Sequence, residues 1–265
     1  MARRLPAPPA RLYQALRDQL GSIRGVYLRS NRVVRRNDFA SFDETVLLLN
    51  GFFQTRTVWE VMEDRLRADG YGVLSFDLGG VLWRYQVRSI TDQAGMIAEK
   101  VESICKRTGL ERLHIVGHSM GGLLARQYVQ HRGGDRRVKS LITLGTPHHG
   151  TPTAIVGLGV TGLGLLSESA GQMIPGSRFL KKLRRTPWPA QIPLVSIYSR
   201  HDLVCPAWCS ELRPRPGESS MVNQKIRGVG HTGLTHDPGV YRIVRRHLDG
   251  AADLWRERRG EHRAG

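Results

Sequence analysis

The chain has 265 residues, a formal net charge of +17 and three cysteines. This length accommodates one domain with a sizeable hydrophobic core, and the sparse cysteines exclude a small scaffold held together by disulfides. The segment Met1–Pro9 is positively charged but has no apolar stretch behind it, so it does not resemble a secretory signal. No apolar run is long enough for a transmembrane helix. We therefore expect a soluble, cytoplasmic protein.

The predicted elements alternate regularly after a basic N-terminal arm, residues 1–37. Within the arm, apolar residues between Leu12 and Leu20 predict a short amphipathic helix that packs on the domain or lies on a membrane surface, and we favour packing. Strands are then predicted at Val46–Leu49, Val73–Phe76, Leu113–Val116, Val138–Leu144, Leu194–Tyr198 and Asn223–Ile226, and helices at Val58–Ala68, Ile90–Arg107, Met120–His131 and Pro238–Leu248. This alternation predicts an α/β fold with a mostly parallel sheet, flanked by helices and joined by right-handed connections. We place the domain at residues 38–250 and a basic C-terminal tail at residues 251–265.

The most informative segment is Val116–Gly122, which lies between an apolar, strand-like run and a helical pattern. Its G-x-S-x-G motif predicts a tight strand-to-helix turn with Ser119 at the apex. Gly117 and Gly121 lack the side chains that would collide as the strand and the helix close together. At such a turn, the Met120 amide and the positive end of the helix dipole lie where an oxyanion would form.

Four segments, taken in chain order, resemble the α/β-hydrolase family, and within it the bacterial lipases and esterases. They are Leu47–Phe52 with Trp59 following, Gly117–Gly121, Leu144–Thr151, and Ser199–Asp202 with Gly228–His231 behind it. The resemblance spans roughly Thr45 to Leu248. It implies an α/β-hydrolase fold with a serine nucleophile, and a reaction that needs no cofactor or metal ion.

The alternation of strands and helices breaks between His148 and Ala190. Here a glycine-rich apolar run leads into a basic segment. The similarity to lipases implies that residues 151–190 form a lid-like insertion. Two core helices joined by a loop fit the pattern nearly as well, so the sequence leaves both interpretations open.

The order of the candidate residues fits a serine, acid and histidine triad, which is the order that the family implies. A serine hydroxyl needs a base within hydrogen-bond reach and a third group that orients the base. Asp202 directly follows a predicted strand, where its alternative role is that of a turn aspartate. His231 lies in a glycine-flanked loop, which suits an accessible base better than the position of His236 before a helix start. We therefore predict Ser119, Asp202 and His231 as the catalytic residues.

The resemblance also implies a second oxyanion donor, the backbone N–H of Phe52, beside that of Met120. Where the family has a His-Gly pair before this position, the chain has Asn50 and Gly51. A backbone donor can survive this change, but the side chain that braces the loop differs.

We expect structural roles for the other histidines near the predicted site and for two of the cysteines. We expect His118 to pack within the turn, and His148 and His149 to shape the rim of the pocket rather than to bind a metal ion. Cys205 and Cys209 have the spacing of a disulfide or of half a metal site. We favour two small apolar residues, because no second pair of ligands lies nearby in the sequence.

These residues predict acyl transfer, in which Ser119 attacks an ester carbonyl, His231 acts as the base and Asp202 orients it. We expect a carboxylic ester hydrolase, a lipase or esterase, that acts on acyl or lipid esters. An acyltransferase or a thioesterase would use the same triad. The remaining alternative is a non-catalytic module that binds a lipid surface or a protein partner on the same fold.

The positive charge is concentrated in the N-terminal arm, in Lys181–Arg185 and in the tail Arg256–Arg263. One hypothesis is peripheral contact of these segments with an anionic membrane. Because lysine is scarce and arginine abundant, we favour a GC-rich coding bias as the explanation of the charge. Nucleic acid is not an expected partner, since no recognition motif accompanies the basic residues.

Overall fold

The computed structural model describes residues 38–52, 54–76, 88–154 and 167–260. The predicted N-terminal helix, residues 155–166 of the predicted lid and the last five residues of the tail lie outside the described residues. Among the helices of the described ranges, none has a stretch that is both long and apolar enough to cross a membrane.

The described strands form one parallel sheet. They are β1 Thr45–Leu49, β2 Gly72–Ser75, β3 Leu113–His118, β4 Val138–Leu144, β5 Leu194–Ser199 and β6 Met221–Ile226. Their spatial order is β2-β1-β3-β4-β5-β6, and every neighbouring pair is parallel. All residues of β1, β3, β4 and β5 are buried, as expected for strands covered by helices on both faces. The predicted parallel α/β sheet is confirmed.

The five longest α-helices of the described chain pack on the two faces of this sheet. Together with the shorter helices, they are α1 Glu60–Ala68, α2 Ile90–Thr108, α3 Met120–His131, α4 Glu168–Gln172, α5 Arg178–Arg185, α6 Ala207–Ser210 and α7 Pro238–Arg259. The apolar residues of α2, α3 and α5 belong to one core cluster, and those of α1 and α7 belong to a second. The sheet therefore lies between two hydrophobic layers, as the alternating pattern predicted.

The last helix is longer than the sequence analysis predicted. It continues to Arg259 instead of ending near Leu248, so residues 251–259 extend α7 rather than beginning a separate tail. The reason is that Ala251 and Ala252 are buried and continue the apolar stripe of the helix. The helix ends at Gly260, whose φ of 72° is the left-handed conformation typical of a helix C-terminus.

The described part of the predicted insertion packs against the domain core. In α5, Phe179, Leu180 and Leu183 are buried in the same cluster as α2 and α3, while the basic residues of this helix are exposed. A movable lid over this region stays a prediction, because residues 155–166 are not described.

A buried charged cluster joins three strands at the end of the sheet opposite Ser119. Glu44, just before β1, accepts hydrogen bonds from Lys139 Nζ at 2.6 Å and from His114 Nε2 at 2.9 Å. The other ring nitrogen of His114 accepts from the Ser140 hydroxyl at 2.7 Å. Burial raises the pKa of the Glu44 carboxyl, but the hydrogen bonds and positive charge of its partners outweigh burial and lower this pKa to about 2.

Replacing Glu44 by glutamine is expected to destabilise the fold at neutral pH and much less in acid. Because the pKa of the folded carboxyl is lowered from 4.5 to about 2, its stabilisation is present above pH 4.5 and is lost as the pH falls towards 2. The loss at pH 7 should be on the order of 2 to 3 kcal/mol. Urea unfolding at pH 7 and pH 3 measures it, with Asp43→Asn on the exposed neighbour as control. An equal loss at both pH values would contradict the role of the Glu44 charge.

Candidate active site

Ser119 lies at the turn between β3 and α3 in a strained backbone conformation. Its φ of 53° makes it the one non-glycine residue with positive φ in the described part of the chain. Such a conformation costs about 1 to 3 kcal/mol and persists only where the surroundings enforce it. The carbonyl of Leu144 accepts a hydrogen bond from the Ser119 N–H at 2.9 Å, which ties the turn to the end of β4.

Three glycines allow α3 to approach the sheet closely behind this turn. A Cβ atom on Gly121 would lie 2.2 Å from the carbonyl oxygen of Leu49, and one on Gly117 would lie 2.7 Å from the backbone of Gly122. A Cβ on Gly122 would lie 2.1 Å from the hydroxyl oxygen of Thr146. The predicted steric role of Gly117 and Gly121 is confirmed, and Gly122 extends it.

Asp202 and His231 form a buried hydrogen-bonded pair beyond the ends of β5 and β6. The Nδ1 atom of His231 lies 2.7 Å from Oδ2 of Asp202. The other carboxylate oxygen, Oδ1, accepts from the backbone N–H groups of Val204 at 2.9 Å and Cys205 at 2.8 Å. These bonds fix the carboxylate, which accepts from Nδ1–H of His231 and leaves Nε2 of the ring as the potential base.

A cavity of about 270 Å³ is lined by both Ser119 and His231. Apolar side chains, among them Ala154, Ala170 and Met173, form much of its wall. Asp202 is 2% exposed and is held behind the histidine ring. The structure therefore brings the three predicted catalytic residues to one site, although they are far apart in the sequence.

Both predicted oxyanion donors lie at this site. Phe52 lines the cavity, and Met120 is the first residue of α3, so the N–H of Met120 has no acceptor within the helix. In the loop before Phe52, Asn50 Nδ2 donates to the carbonyl of Gln54, and the Gly51 N–H donates to Oε1 of Gln54 at 2.9 Å. The asparagine that replaces the family's histidine thus braces this loop together with Gln54.

His118 connects the loop that carries Phe52 with the loop that carries His231. Its Nδ1 atom lies 2.8 Å from Gln54 Oε1, and its Nε2 atom lies 3.0 Å from the carbonyl oxygen of His231. Burial and the nearby His231 ring hold the pKa of His118 well below its usual value, so the ring is neutral. Because both neighbours are acceptors, its single N–H bonds to one of them at a time.

Comparisons with known proteins identify the fold that carries this site. A family model described as the alpha/beta hydrolase fold matches residues 44–159. The lipase BlEst2 of Bacillus licheniformis, in its mature form, superposes with a TM-score of 0.64 at 16% identity, covering 77% of this chain and 91% of the lipase. Lipase B of Aspergillus fumigatus superposes with a TM-score of 0.65 at 14% identity, covering 83% of this chain and 55% of that one. The chain is an α/β-hydrolase-fold protein.

A curated relative matches a shorter stretch of this α/β-hydrolase-fold protein. It is the dihydrolipoyllysine-residue acetyltransferase component of an acetoin cleaving system from Cupriavidus necator, 38% identical over 87 residues. The match covers 32% of this chain and 22% of the relative's length.

Some side chains at the site differ from the sequence analysis. We expected His148 and His149 at the rim of the cavity that holds Ser119. They line a second cavity beside it instead. Gln54 was missed, because its contacts with Gly51 and His118 depend on a turn that no motif marks. Cys205 is buried against the cavity, where burial raises the pKa of its thiol well above the usual value, so the sulfur stays protonated.

Replacing Gly145 by alanine is expected to separate Asp202 from His231. Gly145 has a φ of 55°, and an added Cβ would lie 2.9 Å from Asp202 Oδ2 and 3.1 Å from His231 Nδ1. The bonded proton between these two atoms should give a downfield proton NMR resonance, and this resonance should disappear in Gly145→Ala. The strain should also destabilise the fold by about 1 to 3 kcal/mol.

Gly171→Ala is the matched control for this experiment, because no neighbouring atom lies within 4 Å of a Cβ built on Gly171 in α4. It should leave the resonance in place. Absence of the resonance in the wild-type chain would show that the acid and the ring are not held at the described distance, and a resonance that persists unchanged in Gly145→Ala would show that residue 145 does not approach the pair as described.

Proposed function

We propose that this α/β-hydrolase-fold protein is a serine-dependent carboxylic ester hydrolase, a lipase or esterase. The observation that carries the proposal is the convergence of a strained serine and a histidine on one cavity, with the histidine hydrogen-bonded to a buried carboxylate. A histidine held in this way presents an unprotonated Nε2, and this atom can act as a general base for a hydroxyl.

The proposed reaction runs through an acyl-enzyme. Oγ of Ser119 attacks the ester carbonyl carbon while its proton moves to Nε2 of His231, and Asp202 stabilises the imidazolium that forms. The backbone N–H groups of Phe52 and Met120 stabilise the oxyanion. The imidazolium then gives its proton to the leaving alcohol. Water, deprotonated by the same ring, attacks the acyl-enzyme and releases the acid and the free serine.

The wall of the cavity supports an apolar acyl group as the part of the substrate that enters it. Ala154, Ala170, Met173 and Val204 line the space beside Ser119, and none of them carries a charge or a hydrogen-bonding side-chain group. Burying an acyl chain against such a wall is favourable, at about 25 cal/mol per Å² of apolar surface removed from water. Acyl and lipid esters are therefore the proposed substrates.

Acyl transfer to an acceptor other than water is the second candidate. It is favoured by the similarity of one stretch of the chain to an acetyltransferase component. The same acyl-enzyme would form, and an alcohol or thiol would replace water in the second step. An added alcohol that competes with water for the acyl group during turnover would identify this activity.

Hydrolysis of p-nitrophenyl esters of increasing chain length tests the proposed function. We expect Ser119→Ala to abolish turnover, because Ser119 supplies the hydroxyl that forms the acyl-enzyme. Asp202→Asn should lower kcat by about 10⁴, as a comparable change does in other triads. Asp237→Asn is a matched control, since it changes a carboxylate at the N-cap of α7 to another good capping residue and should leave turnover within twofold.

Two outcomes would contradict this assignment. If the wild-type chain and Ser119→Ala were equally inert at every chain length, the chain would be a non-catalytic module on a hydrolase fold. If Asp202→Asn lost less than tenfold in kcat, another group would orient His231.

A further inference from the structure

A second cavity adjoins the loop Gly145–Thr151. Pro147 and Thr151 of this loop line the cavity that holds Ser119, whereas His148 and His149 line the second one. The second cavity has a volume of about 30 Å³. Its charged lining consists of four arginines and one carboxylate, namely Arg126, Arg184, Arg213, Arg215 and Glu218.

Arg126 places a buried positive charge at this cavity. Its Nη1 donates to Nδ1 of His148 at 3.3 Å, its Nη2 donates to the carbonyl of Leu183 at a long 3.5 Å, and its Nε has no partner in the described part of the chain. Arg126 is 7% exposed. Burial lowers its pKa to about 10, so the group stays charged at neutral pH. A buried charge without a counter-ion is costly, and an anion would offset that cost.

His148 gives Arg126 a neutral partner and not a counter-charge. The hydroxyl of Thr143 donates to the carbonyl of Val195 at 3.2 Å, so it accepts from Nε2–H of His148 at 3.1 Å. Nδ1 of His148 is therefore the unprotonated nitrogen that faces Arg126. Burial and the charge of Arg126 hold the pKa of His148 well below its usual value, which keeps the ring neutral.

Burial lowers the pKa of Arg126 and the charge of Glu218 raises it, but Glu218 makes no ion pair in direct contact with Arg126. Its Oε1 accepts from the Trp188 N–H at 3.1 Å, and its Oε2 accepts from the Arg215 N–H at 2.8 Å. Within the described residues, no carboxylate lies within 4.0 Å of the Arg126 guanidinium. Arg184 and Arg213 are exposed at the rim, which leaves the cavity open to solvent. Positive charge is therefore in excess at this site.

We propose that the second cavity binds phosphate, either as the free ion or as a phosphomonoester. Arg126 lines this cavity, and a planar guanidinium bonds the oxygens of an oxyanion through paired N–H donors. The volume of about 30 Å³ admits two oxygen atoms of water size, at the roughly 10 to 15 Å³ that one water molecule needs. The rim arginines add the charge that a doubly negative group requires.

Calorimetric titration of the full chain with inorganic phosphate, at fixed ionic strength, tests the proposal. We expect saturable binding at one site, with chloride and acetate bound at least tenfold more weakly, because neither provides a tetrahedral, doubly charged group. Glycerol phosphate distinguishes the two sources of the ligand. If glycerol phosphate binds more tightly than inorganic phosphate, the ligand is a phosphomonoester. If glycerol phosphate binds more weakly, the ligand is the free ion.

Variants locate the bound anion. Arg126→Lys keeps a positive charge but removes the paired donors, so the Kd for phosphate should rise at least tenfold. Arg213→Gln, on the exposed rim, should raise the Kd at least threefold without endangering the fold. Arg185→Gln is the matched control, because Arg185 is exposed on α5 beside Arg184 but does not line the cavity, and its Kd should stay within twofold of wild type.

The phosphate site does not depend on ester hydrolysis. Ser119→Ala should bind phosphate within twofold of wild type even where it abolishes turnover. Circular dichroism shows whether Arg126→Lys folds. If this variant does not fold, the Kd for phosphate of Arg184→Gln and Arg213→Gln tests the proposal. Binding of chloride as tight as that of phosphate, absence of saturation, or a Kd unchanged in the rim variants would overturn the proposal.

Discussion

The close contact between the start of α3 and the ends of β1 and β3 is the constraint on which the site depends. At Gly121, the helix backbone comes so near the carbonyl of Leu49 that no side chain fits between them. This contact holds Ser119 in a conformation that an L-amino acid otherwise avoids. The strain is maintained because α3 is buried along most of its length and cannot move away from the sheet.

The parallel sheet brings the remaining groups of the site to the same edge. Asp202 follows β5 and His231 follows β6, and in parallel sheets such carboxyl-terminal loops converge. Around them, the His118 ring lies between Gln54 Oε1, in the loop after β1, and the carbonyl oxygen of His231. The loop that carries Phe52 and the loop that carries His231 thus contact the same ring, although each follows a different strand.

The sequence predicted the sheet well because strands buried on both faces are continuous apolar runs, such as Thr45–Leu49. It also predicted the tight turn with Ser119 at its apex, since a turn this tight needs glycines at fixed spacing. The contact of His118 with Gln54 joins residues 64 positions apart, so no local pattern reports it. The length of α7 was underestimated because the buried residues that carry on its apolar stripe, Ala251 and Ala252, are small.

The proposed chemistry requires that the His231 ring, held by Asp202, activates the hydroxyl of Ser119. Reaction of the folded chain with a fluorophosphonate, followed by proteolysis and mass spectrometry, measures this activation. We expect one adduct, on Ser119, which forms at least a hundredfold more slowly in His231→Ala. No adduct, an adduct on another residue, or a rate unchanged in His231→Ala would contradict it.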